Sequence, residues 1–170
     1  MSIDWINQAD PDEAADWFDR TCHAQRWVQA MVAARPYADA DALLKQAEQS
    51  WQDLQKPDFL QAFAAHPKIG DINSLQTKYA ATRTTARDEQ RGVDQASRET
   101  LQALQQANAA YEARFGYIFI IFASGKSADE MLSLLHQRLT HDPETEINIA
   151  AAEQYKITRL RLINQLQALV

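Results

Sequence analysis

Cysteine is nearly absent from this 170-residue chain: Cys22 stands alone, so no intrachain disulfide can form, and a reducing compartment fits. Glycine (four) and proline (five) are also scarce. With so few, the chain has neither a glycine-rich phosphate loop nor a Gly-x-Ser-x-Gly elbow. A basic surplus is missing too. Lys and Arg number 17 against 23 Asp and Glu, a net charge of −6 with no basic cluster, which argues against nucleic acid as a partner. The longest apolar run, Tyr117 to Ala123, falls far short of the ~20 residues a membrane helix needs, so no membrane partner is expected. Met1-Ser2-Ile3-Asp4-Trp5 has neither a basic nor an apolar leader segment, and Ala168-Leu169-Val170 is not a peroxisomal address. The expected location is the cytoplasm. Four histidines (His23, His66, His136, His141) show no compact ligand spacing, so no metal is expected.

Alanine, glutamine and leucine abound, a composition that favours helix nearly everywhere. The fold class read from it is all-α, a multi-helix bundle forming one domain over residues 1–170. Asp10-Pro11 is a helix start, with an acceptor at the cap and proline at the first position. That helix is expected to run through Trp17, Phe18 and Cys22. A second, from about His23, carries Trp27, Val28 and Met31 and stops at Arg35-Pro36. Asp39 caps a helix from Ala40 to about Leu54. Tryptophans and cysteine here read as core, not chemistry. Ser74 can cap a short helix through Tyr79. A long helix, from about Asp94, places Leu101, Leu104, Asn108, Tyr111 and Phe115 on one face and ends at Gly116. Asn108 within that face is read as a tie to a nearby backbone group.

Tyr117 to Ala123 is the least polar stretch and reads as a buried, partly irregular segment or a short helix. Ser127-Ala128-Asp129-Glu130 is a capping box opening a helix through Leu139. Pro143-Glu144 opens the last helix. Apolar on most of its circumference, it should be largely buried. Arg159 and Arg161 lie about 200° apart around its axis, with Arg161 toward the inward side. An inward arginine needs a partner, either an internal carboxylate such as Glu89 or an anionic substrate.

The stretch of greatest chemical interest is His66-Pro67-Lys68-Ile69-Gly70. A helical segment over Asp58 to Ala65 runs into it and cannot continue, because proline pushes the preceding residue toward extended backbone. The imidazole of His66 is therefore carried on stiffened chain just past a helix end. It can cover that helix terminus, or it can exchange protons with a substrate.

Five motifs follow one another in order: His66-Pro67-Lys68-Ile69-Gly70; Glu89-Gln90; Asn108-x-x-Tyr111-x-x-Arg114-Phe115-Gly116-Tyr117-x-Phe119; Ser124-Gly125-Lys126-Ser127; and Lys156-Ile157-Thr158-x-x-Arg161-Leu162. Together they resemble the 2-oxo-4-hydroxy-4-carboxy-5-ureidoimidazoline (OHCU) decarboxylase family, which completes the uric acid route to (S)-allantoin. The resemblance covers nearly the whole chain. It implies an all-helical protein, homodimeric, acting on OHCU with no cofactor and no metal. It implies that His66 is catalytic together with Glu89, and that Pro67, Gln90 and Arg161 contact substrate. Main-chain groups near Phe119 to Ile121 are implied as further contacts. One position departs from the pattern: Ala86 stands where the family has a serine, leaving Thr85 as the neighbouring hydroxyl. Two other classes remain open on the residues themselves. One is a different cofactor-free acid–base enzyme acting on a small ureide. The other is a helical interaction module in which His66 and Arg161 are structural.

Overall fold

A computed structural model describes residues 3–67 and 98–169. Among the described residues there are eight helices and no strand, as the composition requires. In chain order these are α1 (Asp4–Gln8), α2 (Pro11–Asp19), α3 (Gln25–Ala33), α4 (Ala40–Gln52), α5 (Lys56–Ala64), α6 (Arg98–Phe115), α7 (Ala128–Arg138) and α8 (Pro143–Ala168). They gather into two compact units. Met1–Ala65 with Ala151–Val170 form the first, and His66–Ala150 the second. The expected helix from Ser74, and the start of the long helix near Asp94, lie outside the described residues.

Local chemistry sets most helix starts. The Asp10 carboxylate accepts from Asp12 N, and Asp39 from Ala42 N, each filling one of the donors left open at a helix N-terminus. Ser127 and Glu130 bond reciprocally to each other's main-chain N–H groups, so the expected capping box forms. Asp142 caps α8 through Thr145 N at 2.9 Å. Gly116 closes α6 with φ +83°, the left-handed conformation that glycine adopts at little cost.

α2 stops at Asp19, short of the expected extension through Cys22. The Thr21 hydroxyl donates to the Phe18 carbonyl at 2.7 Å, and the chain turns there, leaving Cys22 in the connection to α3. Cys22 is nonetheless core, and burial raises its thiol to about 11, so at neutral pH it is not a thiolate nucleophile.

In the first unit Phe18 is fully buried, with Trp17, Trp27 and Tyr37 edge-on around it at 5.0, 6.0 and 6.5 Å. Each such buried aromatic contributes about 1.5–3 kcal/mol. The Trp27 indole N–H donates to the Ala47 carbonyl, tying α3 to α4. On α8 a row of buried residues, Glu146, Ala150, Gln154, Thr158, Leu162 and Leu166, falls in steps of four, with Ile147 and Ala151 beside it. A step of four shifts the row by about 40°, so no single face is apolar throughout. The expectation of a largely buried helix therefore fails at Leu160, which is 40% exposed. In the second unit α6 packs on α7, and Tyr111 is surrounded by Phe115, Tyr117 and Phe119 at 4.7, 5.8 and 5.2 Å.

Candidate functional site

His66 follows α5 in the chain, and local contacts hold that helix. Gln55 and Asp58 form a capping box, and Pro57 sits in the first turn. Ala62 and Phe63 are buried, while the Gln61 side chain accepts from Gln25 N at 2.9 Å, filling an open donor of α3. The helix ends at Ala64 with Ala65 as its cap, and His66 is the next residue. His66 is half-buried and Pro67 exposed.

Arg161 lies on α8 and is half-buried, whereas Arg159 is exposed, in keeping with their opposite directions on the helix. The Arg161 guanidinium reaches the Thr21 carbonyl at 3.5 Å, a long contact. Among the described residues no carboxylate forms an ion pair with it. Glu89 and Gln90 lie outside the described residues, as do Thr85 and Ala86. His66, Pro67, Phe119 and Ile121 belong to the second unit and Arg161 to the first.

The segment after Gly116 has no regular secondary structure, which settles the expected choice between an irregular stretch and a short helix. Phe119 and Ile120 are buried and Ile121 is half-buried. Without a helical ladder, its main chain needs other partners. Asn108 is not one of them, since its side chain bonds the Leu104 carbonyl of its own helix, the structural tie expected of it.

Lys126 Nζ donates to the Phe122 carbonyl at 2.9 Å, and a second partner comes from α7. Arg138, only 5% exposed, donates from Nη1 to the Ile120 carbonyl at 2.6 Å and lies over the Phe119 ring at 4.4 Å. Its Nε and Nη2 meet Glu146 Oε1 at 2.7 and 2.6 Å, and Glu146 is completely buried. Glu146 also accepts from the Tyr111 hydroxyl, and His141 Nδ1 lies 3.0 Å from its second oxygen. Burial, reinforced by that bond to Glu146, holds the Tyr111 phenol well above its ordinary range, so it remains a donor. A signal was available: Ala128, Met131, Leu135 and Arg138 step by 3, 4 and 3 along one buried face. Among the described residues no group of His, Cys, Asp and Glu is arranged to hold a metal ion, and no helix is long and apolar enough to cross a membrane.

Residues 7–163 match the family model for OHCU decarboxylase. The chain belongs to the OHCU decarboxylase family. The uric acid degradation bifunctional protein TTL of Arabidopsis thaliana is 33% identical over 83% of this chain, which spans 44% of that longer protein. The 2-oxo-4-hydroxy-4-carboxy-5-ureidoimidazoline decarboxylase of Haloferax volcanii is 25% identical, with 95% of this chain and 94% of that one aligned. A crystal structure of an OHCU decarboxylase in the presence of (S)-allantoin superposes with a TM-score of 0.70 at 32% identity, covering 90% of this chain and 98% of that one. Membership in this family ties the all-α fold to a decarboxylase lineage of uric acid degradation.

Proposed function

We propose that this chain decarboxylates OHCU to (S)-allantoin, acting as one functional domain over residues 1–170. The observation that carries the reading is the match to an OHCU decarboxylase solved in the presence of (S)-allantoin, over 90% of this chain at 32% identity. The single cysteine supports a cytoplasmic location, and the family resemblance supports a homodimer.

The substrate carries hydroxyl and carboxylate on one ring carbon beside a C=N bond. When the C–carboxylate bond breaks, its electron pair moves into that C=N, so the ring itself is the electron sink and no cofactor is needed. Carbon dioxide leaves, the ring nitrogen of the former C=N and the ureido-bearing carbon each gain a proton, and the hydroxyl gives up its own to become the carbonyl of allantoin, a net uptake of one proton. The protein has to hold the carboxylate out of the ring plane, stabilise the developing charge and protonate one face. In this reading His66 bonds the hydroxyl and carboxylate region and transfers the proton, next to Pro67. Glu89 orients His66 or the ureido N–H groups, with Gln90 beside it. Arg161 and main-chain groups at Phe119 and Ile121 hold the ring carbonyl and its charge.

The test is incubation with freshly made products of uricase and hydroxyisourate hydrolase, followed by circular dichroism. The expected result is accelerated growth of the (S)-allantoin signal, unchanged by exhaustive chelation. Another product would instead favour a different acid–base enzyme on ureides, and no turnover would leave a non-catalytic helical module. Loss of rate on chelation, restored by zinc or manganese, would sink the cofactor-free mechanism.

Arg161→Lys is expected to lower kcat/KM by about 1.5–3 kcal/mol, the range for a charged hydrogen bond, because lysine lacks the planar fork. Arg159→Lys, on the exposed side, should change little. If Arg161 is instead locked to an internal carboxylate, Arg161→Lys will lower the melting temperature along with activity. Kinetics and thermal unfolding of both variants decide between these.

A further inference from the structure

The described residues hold a buried polar cluster that the proposed chemistry does not use: Arg138, Glu146 and Tyr111, with the half-buried His141 at its edge. A buried ion pair is seldom a net gain over well-packed apolar residues, so stability alone is a poor account of it. Its geometry suggests another. Each guanidinium nitrogen has a task, two on Glu146 and Nη1 on the Ile120 carbonyl, while the plane of the group covers Phe119. Glu146 is itself held by Tyr111 and His141. The cluster thus aims one fixed donor at the middle of an irregular segment that has no helical ladder of its own.

We propose that Arg138 is a positioning residue, which fixes the main chain at Ile120 from inside so that Phe119 and Ile121 present their groups to the substrate in one conformation. This rests on the functional reading above. Glu146 is the anchor that keeps the fork oriented. Lysine keeps the charge at position 138 but offers one nitrogen, and cannot serve Glu146 and Ile120 together in the same geometry.

Arg138→Lys in the full chain is therefore the informative variant, with Tyr111→Phe as a milder one that deletes the hydroxyl's bond to Glu146 and its long 3.5 Å contact with Arg138 Nη2 and leaves the ring packing. Two readouts are needed. Hydrogen exchange of peptides spanning residues 117–123 requires no substrate and reports whether the segment is held. Steady-state kinetics on OHCU report whether the holding matters. In Arg138→Lys we expect exchange in this segment to quicken by about tenfold or more while α6 and α7 exchange as in the wild type. We expect kcat to fall on the order of 10–100-fold, with KM moving less, as for misaligned groups that meet developing charge. Tyr111→Phe should shift both readouts in the same direction by less, and stands in if Arg138→Lys does not fold. Unchanged exchange in the folded variant would overturn the proposal, and so would faster exchange with wild-type kcat. A wild-type protein without turnover would overturn the functional reading and the catalytic half of this inference with it, while exchange still decides whether Arg138 holds the segment.

Discussion

His66→Ala is expected to reduce kcat by about 10²–10⁴-fold, the usual contribution of a positioned acid–base group, while leaving thermal unfolding close to wild type. The asymmetry follows from placement. His66 stands beyond the cap of α5, where the helix has already ended, and its side chain is half-buried, so truncation opens no large core cavity. His66→Gln separates two roles. Glutamine can still bond a hydroxyl or carboxylate but cannot exchange protons near neutral pH. If proton transfer is the larger contribution, both variants will be comparably slow. If His66 chiefly orients the substrate, His66→Gln will recover much of the rate. Near-full turnover by His66→Ala, measured by growth of the (S)-allantoin dichroism signal, would rule out the mechanism proposed here.

The helix end before His66 was legible because the signal is local: a helical segment runs into His-Pro, and proline ends it. The caps at Asp10, Asp39 and Ser127 and the stop at Gly116 were legible for the same reason, each being a contact within a few residues. What escaped depends on distant partners. α1 has no side-chain cap and rests instead on Arg35, which donates to the Ile6 and Ala9 carbonyls at 2.8 Å each. Asn7 adds a two-way pairing with the main chain of Tyr37, thirty residues on. The half-buried Arg161 could be read from helical projection, and Arg138 shares the inward face of Ala128, Met131 and Leu135, but the sequence does not say that Glu146 meets it. Those two lie on different helices, and no periodicity relates one helix to the next. The apolar composition of α8 misleads in the opposite direction. Its buried row winds around the axis, so Leu160 is left in solvent while Gln154 and Thr158 are inside.

Glu146→Leu should be the most destabilising single change among these residues, costing about 3–5 kcal/mol, the range for breaking a buried pair by removing one partner. Three groups lose their acceptor at once. Arg138 keeps a positive charge that is almost fully removed from water, and the Tyr111 hydroxyl and His141 Nδ1 lose their bonds. For a chain of this size the melting temperature should drop on the order of 10 °C. Arg138→Met should cost a similar amount for the mirror-image reason, because the Glu146 carboxylate is then stranded at zero exposure. The double variant Arg138→Met/Glu146→Leu removes both charges. It should regain most of the lost stability, since apolar residues of similar volume replace buried pairs at little net cost. Urea or thermal unfolding of the three proteins reads this directly. A Glu146→Leu protein as stable as the wild type would mean that the pair is not made in solution, and strictly additive losses in the double variant would mean that the two charges do not depend on each other. Stability regained should not restore turnover. Methionine has no donor for the Ile120 carbonyl, so the double variant should fold well and remain slow, because the segment it was meant to hold is no longer fixed.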